Sequence, residues 1–269
     1  MQYDPIKRSL GKVFNKNPFL RVIFYRLLDL LLLRAWHIKK QIRSIKQDLP
    51  EKAEFLDAGS GFGQYSFFLA RKFPAAKILG IDVKEEQIED CNHFFKKKSM
   101  EDRINFEVGD LTRYEDPERF NLILSVDVME HIEEDVKVFE NFHRSLADKG
   151  VLLISTPSDQ GGSDVHEEHE ESFIDEHVRD GYNIEEIKEK LNKAGFSKIN
   201  AHYSYGTPGK ISWRLSMKYP ISLLNVSKLF FILLPVYYLV TFPFSLILNY
   251  LDVHTSHKTG TGLIVKAIK

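Results

Sequence analysis

Residues able to do chemistry concentrate between Phe55 and His131. Phe55-Leu56-Asp57-Ala58 is a short apolar run ending in an acid, and Gly59-Ser60-Gly61-Phe62-Gly63 follows with glycines at alternate positions. Glycines let a backbone turn sharply and approach a bulky ligand closely. The helical run Tyr65 to Lys72 then offers the N–H groups of its first turn. Further acids recur at the ends of later apolar runs: Asp82 after Lys77–Ile81, Asp110 after Ile104–Val108, and Asp127 after Phe120–Val126. Carboxylates at successive strand ends accept hydrogen bonds from sugar hydroxyls or an amino group, so the pattern is that of a nucleotide-like ligand held at one sheet edge. His131, after the fourth run, is the side chain best suited to move a proton near neutral pH, and Glu130 beside it is placed to orient an acceptor.

Strands and helices alternate from Ala53 onward, with helices over Tyr65–Lys72, Glu85–Lys97 and Glu133–Leu146 and a fifth strand over Gly150–Pro157. Such alternation gives parallel strands with helices on both faces. A helix over Ile184–Lys193, capped by Asn183 and ended by Ala194-Gly195, precedes a sixth strand, Phe196–Tyr205, and Thr261–Ile268 reads as a seventh. The spacing is not the dinucleotide fingerprint G-x-G-x-x-G, because Gln64 follows the third glycine.

G-x-G-x-G after an acidic strand end resembles motif I of class I S-adenosylmethionine-dependent methyltransferases, and Glu51 to Ser158 resembles that family motif by motif and in order. The run Asp127-Val128-Met129-Glu130-His131 is most similar to the ubiquinone-biosynthesis O-methyltransferases and their small-molecule relatives. The resemblance implies a Rossmann-like, doubly wound, mostly parallel seven-stranded sheet with an antiparallel last strand. It implies S-adenosylmethionine as cofactor, held by Asp57, Gly59, Ser60, Gly61 and Gly63 in the loop, Asp82 and Val83 at the ribose, Asp110 and Leu111 at adenine, and Asp127. It also implies that Glu130 helps hold a divalent cation, against a purely orienting role; no metal site is otherwise expected. Asp127 has a second reading, as cap of the helix starting near Glu133, and His131 is expected to act as base or to orient the acceptor. His177, Arg179 and Tyr182, after the fifth strand, are expected to line the acceptor pocket. The run His166-Glu167-Glu168-His169-Glu170-Glu171 is not H-E-x-x-H; a solvated acidic loop is favoured there over a lid or a metal site.

The organisation expected is 1–50 as basic amphipathic helices, 51–205 as methyltransferase core, 206–258 as a hydrophobic insertion, and 259–269 as the final strand. Met1 to Lys46 holds eleven Lys or Arg against two acids, Asp4 and Asp29, and charges interrupt its apolar runs as in no export signal. The net charge of -1 exerts no pull toward nucleic acid, and a single cysteine, Cys91, fits a reducing compartment.

Leu229 to Leu251 carries no charge. As one helix it would extend roughly 35 Å, enough to cross a bilayer, but Pro235 and Pro243 argue against a straight helix. A single crossing would also strand the seventh strand on the wrong side of the membrane. An interfacial segment is therefore favoured, with a substrate-covering subdomain and a homodimer interface as alternatives. The function expected is methyl transfer, on oxygen, to an apolar or lipid-like acceptor by a cytoplasmic enzyme peripheral to the inner face of the cell membrane. The rivals are a methyltransferase of a soluble metabolite, a non-catalytic docking module that keeps the cofactor site, and a nicotinamide-dependent oxidoreductase.

Overall fold

The computed structural model describes residues 17–161 and 178–269. His166–Glu171 and His177 lie outside the described residues. Two helices, α1 (Pro18–Leu31) and α2 (Leu33–Ile45), come first. Asn17 caps α1 by accepting from the Phe19 N–H at 2.8 Å, and Pro18, with no N–H to lose, fills the first turn. The alternating unit follows: β1 (Glu54–Ala58), α3 (Gln64–Lys72), β2 (Lys77–Asp82), α4 (Glu85–Lys97), β3 (Ile104–Val108), β4 (Phe120–Val126), α5 (Asp135–Ser145), β5 (Leu146–Pro157), α6 (Ile184–Lys193), β6 (Lys198–Ser204) and, after the insertion, β7 (Gly262–Ile268). Between β6 and β7 lie α7 (Thr207–Trp213), a π-helical segment (Arg214–Lys218), α8 (Tyr219–Val226), a 3₁₀ segment (Lys228–Ile232) and α9 (Leu234–His254).

The seven strands form one sheet in the order β3-β2-β1-β4-β5-β7-β6. β1 through β5 pair in parallel, and β7 runs antiparallel between β5 and β6. The sheet is therefore mixed, as expected, and β6 points the same way as β5. The tips of β1, β2, β3, β4 and β6 all open onto one edge. The order reverses beside β1, where β2 and β4 flank it, and such switch points are where open α/β sheets take ligands.

Both faces of the sheet are covered. On one, Phe55, Ile78, Leu122 and Leu153 pack with α1–α4 residues such as Tyr25, Ile38, Leu69 and Phe95; on the other, Leu56, Ile123, Leu152 and Val265 pack with Phe139, Phe142 and Leu191. This is period-2 alternation resolved into two cores. The largest boundary shift is at β5: α5 ends at Ser145, and β5 begins at Leu146 rather than Gly150 because Leu146 pairs with Phe120. The apolar segment divides at Pro235, as expected, into the 3₁₀ segment and α9, but not at Pro243. Pro235 sits in the first turn of α9, where a missing N–H costs nothing, and Pro243 is accommodated within the helix.

Candidate active site

The glycine loop leaves β1 with Gly59, Gly61 and Gly63 all at positive φ, which a side chain would strain. A Cβ at Gly59 would lie 2.2 Å from Val128 Cγ2, so the loop is pressed onto the exit of β4. A Cβ at Gly61 would meet nothing closer than 3.8 Å, which leaves that turn an open cradle. The N–H groups of Gly59 and Ser60 donate to the Ile81 carbonyl at 2.8 and 2.9 Å, tying the loop to the tip of β2.

The carboxylates divide by depth. Asp82 stands at the β2 tip, with Oδ2 accepting from the Gly61 N–H at 2.9 Å and Oδ1 from the Lys84 N–H at 3.0 Å; Val83 beside it is 65% exposed. Asp110, after β3, accepts from the backbone N–H and hydroxyl of Thr112 at 2.9 and 2.8 Å, and these donations hold its carboxyl below the usual carboxylate range. Leu111 is buried with Leu79 and Ile81. Asp57, expected to face the ligand, lies beneath the loop instead: it is 2% exposed and accepts from the Ser66 hydroxyl at 2.5 Å. Burial pushes its carboxyl up to about 6, against the Ser66 hydrogen bond.

The β4 exit carries the second group. Asp127, at positive φ, is ion-paired with Arg34. It does not cap the following helix, because α5 begins at Asp135 with Glu134 in the cap position. Glu130 is almost completely buried, and its Oε2 accepts from the Thr156 hydroxyl at 3.0 Å. Burial, then the charge of Asp127, raises its carboxyl well above the usual range. His131 closes the 3₁₀ turn Met129–His131 and is exposed. Among the described residues no cluster of His, Cys, Asp and Glu could hold a metal ion.

Arg179 and Tyr182 take a role the sequence did not suggest. Asp135 pairs with Arg179 and accepts from the Tyr182 hydroxyl at 2.7 Å and from Lys190 Nζ at 2.8 Å. Arg179 also donates to the Ile132 carbonyl at 2.7 Å. Tyr182 is wholly buried, so it belongs to the packing behind the β4 exit rather than to a pocket wall.

Sequence reasoning missed the residues that α1 brings to the loop and to the helix that follows it. The buried Arg21 donates to the Phe62 carbonyl at 2.9 Å, the Asp90 carbonyl at 3.0 Å and Tyr25 Oη at 2.7 Å, and Tyr25 donates to the Phe62 carbonyl. Gln64 Nε2 donates to Asp29 at 2.7 Å. The available signal was cations and an acid interrupting apolar helical runs, a pattern equally compatible with solvated positions.

The cleft fits an adenosyl amino-acid ligand. It joins an open glycine cradle, carboxylates at the β2 and β3 tips, and two buried hydroxyls, Ser60 Oγ and Tyr65 Oη, that find no hydrogen-bond partner among the described residues. Residues 49–204 match the methyltransferase domain family. Among curated relatives, phosphoethanolamine N-methyltransferase 1 of Zea mays is 29% identical over 159 residues, 58% of this chain and 30% of that protein. Malonyl-[acyl-carrier protein] O-methyltransferase 2 of Ilyobacter polytropus is 26% identical over 161 residues, 58% of this chain and 60% of that protein. Among solved structures, Haemonchus contortus phosphoethanolamine N-methyltransferase 2 in complex with S-adenosyl-L-methionine superimposes with a TM-score of 0.57 at 22% identity, over 86% of this chain and 52% of that one. The matches thus span less than two thirds of each of these proteins. The chain belongs to the methyltransferase domain family, with the fold and motif order of the class I enzymes, whose cofactor is S-adenosylmethionine.

Proposed function

We propose that the protein methylates an apolar or amphipathic acceptor on oxygen, using S-adenosylmethionine, at the cytoplasmic face of a membrane. The observation that carries this reading is the insertion: β6 delivers an apolar helical segment to the same edge that bears Asp82, Asp110 and Asp127. An acceptor that partitions into an apolar environment would meet the cofactor there.

In this reading Gly59, Ser60, Gly61 and Gly63 wrap the amino-acid end of the cofactor, with Asp57 supporting the loop from below. Asp82 and Val83 hold the ribose, Asp110 and Leu111 the adenine, and Asp127 with Arg34 closes the site toward α2. The cofactor supplies an activated electrophilic methyl group, so the chain's task is placement and exclusion of water. An oxygen acceptor must lose a proton, and the exposed His131 is assigned that role as general base. Glu130, whose carboxyl burial shifts toward the neutral form, orients the turn that carries His131 through its bond to Thr156.

Incubation with methyl-labelled S-adenosylmethionine and a total lipid extract tests the reading. An organic-soluble product labelled on oxygen is the expected result. Label confined to a water-soluble product would select a soluble metabolite as acceptor, and cofactor binding with no turnover would make the chain a non-catalytic module.

A further inference from the structure

The insertion is an antiparallel helical hairpin built inside out. Its first limb is the continuous helical stretch from Thr207 to Val226, its return limb is α9, and both feet stand on one spot of the sheet edge. Asp252, wholly buried near the end of α9, accepts from the Tyr205 N–H at 3.1 Å and the Gly209 N–H at 2.9 Å, where the first limb departs. His37 of α2 lies 2.8 Å from the same carboxylate. With its exit and return bonded to each other, the hairpin enters and leaves any membrane from one side.

Polar and small residues fill the seam between the limbs. The Ser212 hydroxyl shares its one proton between Asn249 Oδ1 at 2.6 Å and the Ser245 carbonyl at 3.1 Å, and Ser212, Ser216, Ser245 and Asn249 are all buried. Apolar residues take the outside. Val236, Leu239, Val240, Phe244, Ile247 and Leu251 recur at helical spacing along the whole of α9 and are 46–78% exposed. Small residues at close-packed seams, with polar side chains bonding across them, are how helices pack in lipid, where burial of apolar surface offers no gain.

The backbone follows the same logic. In the π-helical turn the Tyr219 N–H bonds to the Arg214 carbonyl, which frees the Leu215 carbonyl, and Pro220 has no N–H for the Ser216 carbonyl. The hydroxyls of Tyr237 and Tyr238, reaching across from the return limb, donate to those two carbonyls at 2.7 and 2.8 Å. Two carbonyls that water would satisfy on a soluble hairpin are satisfied internally, as hydrocarbon demands. Charge completes the pattern. No acidic residue occurs between Glu189 and Asp252, while Lys210, Arg214 and Lys218 follow one another at four-residue intervals and Lys228 stands at the turn.

We propose that the hairpin Thr207–His254 is a monotopic anchor that lies in one leaflet of an anionic bilayer. The outer stripe of α9 enters the acyl boundary, and the Lys210–Arg214–Lys218 row meets lipid phosphates. This deepens the membrane reading above without depending on methyl transfer.

Flotation of the full-length chain with vesicles of equimolar phosphatidylcholine and phosphatidylglycerol tests it. The wild type should float, and Leu239→Glu with Ile247→Glu, both on exposed positions, should lower partitioning about tenfold or more. Lys210→Gln, Arg214→Gln and Lys218→Gln should each lower it about fivefold on anionic vesicles. Should the glutamate variant not fold, Leu239→Cys carrying an environment-sensitive fluorophore replaces it, since the remaining cysteine, Cys91, is buried. Quenching of that probe by lipids spin-labelled near the headgroup, more than by those labelled at the chain end, is the expected result. Wild-type protein left at the bottom of the gradient, or a probe that stays in water, would overturn the proposal. So would a dimer in light scattering that Leu239→Glu dissociates, which would make the stripe a contact between copies. Flotation needs no cofactor, so it fails or succeeds separately from the assignment of the active site.

Discussion

The Asp82 carboxylate accepts a hydrogen bond from the Gly61 N–H at 2.9 Å, fixing the tip of β2 to the most open turn of the glycine loop. The same carboxylate is the group assigned to the ribose hydroxyls. Asp82→Ala removes both the brace and the acceptor. Cofactor affinity should fall about 10- to 100-fold, the worth of one or two charge-assisted hydrogen bonds, while circular dichroism stays unchanged. Equilibrium dialysis with labelled S-adenosylmethionine checks this.

Arg21 links helix α1 to the same loop. Replacing it with methionine keeps the stem but leaves the Phe62 and Asp90 carbonyls short of a buried donor. A loss of about 2–4 kcal/mol in urea unfolding is expected. The loosened loop should also bind cofactor more weakly, measured at a temperature where the variant remains folded.

Asp57 makes stability depend on pH. Its folded-state pKa, about 6, lies above that of an unfolded aspartate, so the folded state favours the protonated form. Its contribution is fully present below about pH 4 and is lost as pH rises through 6, a span of about 3 kcal/mol at most. Asp57→Asn should therefore be more stable than wild type at pH 8 and no more stable at pH 4. Paired urea titrations at the two values decide this.

His202 acts in the opposite sense. Burial, then the charges of His37 and Lys40, lowers its pKa to about 4, so the folded state favours neutral imidazole. The stability it contributes is present above about 6.5 and is lost as pH falls toward 4. His202→Gln should flatten the fall in melting temperature across that window, visible in scanning calorimetry.

Tyr182 separates packing from acceptor binding. Tyr182→Phe removes the hydroxyl that donates to Asp135 at 2.7 Å. About 1–2 kcal/mol of stability should be lost, with KM for the acceptor unchanged. A raised KM at full stability would restore the tyrosine to the pocket.

The fold was largely legible because parallel strands are short apolar runs with marked ends, and the acids at Asp57, Asp82, Asp110 and Asp127 sit at those ends. What periodicity could not convey was depth. Asp57 and Asp82 read alike as strand-end acids, yet one is buried beneath the loop and the other stands at its rim. Arg21 read as a charge interrupting an amphipathic helix, because two of its partners are backbone carbonyls 41 and 69 residues away, which carry no signature in the sequence. The apolar insertion was conspicuous, but its inversion was not. Only the pairing of Ser212 with Asn249, and of two tyrosines with two freed carbonyls, shows which face looks inward.

Titration of the full-length chain with S-adenosylhomocysteine in an isothermal calorimeter tests the central claim most directly. Saturable one-to-one binding by the wild type is the expected result. A flat titration by folded wild-type protein would contradict it, because the glycine loop and the carboxylates at the strand tips would then have no adenosyl group to hold.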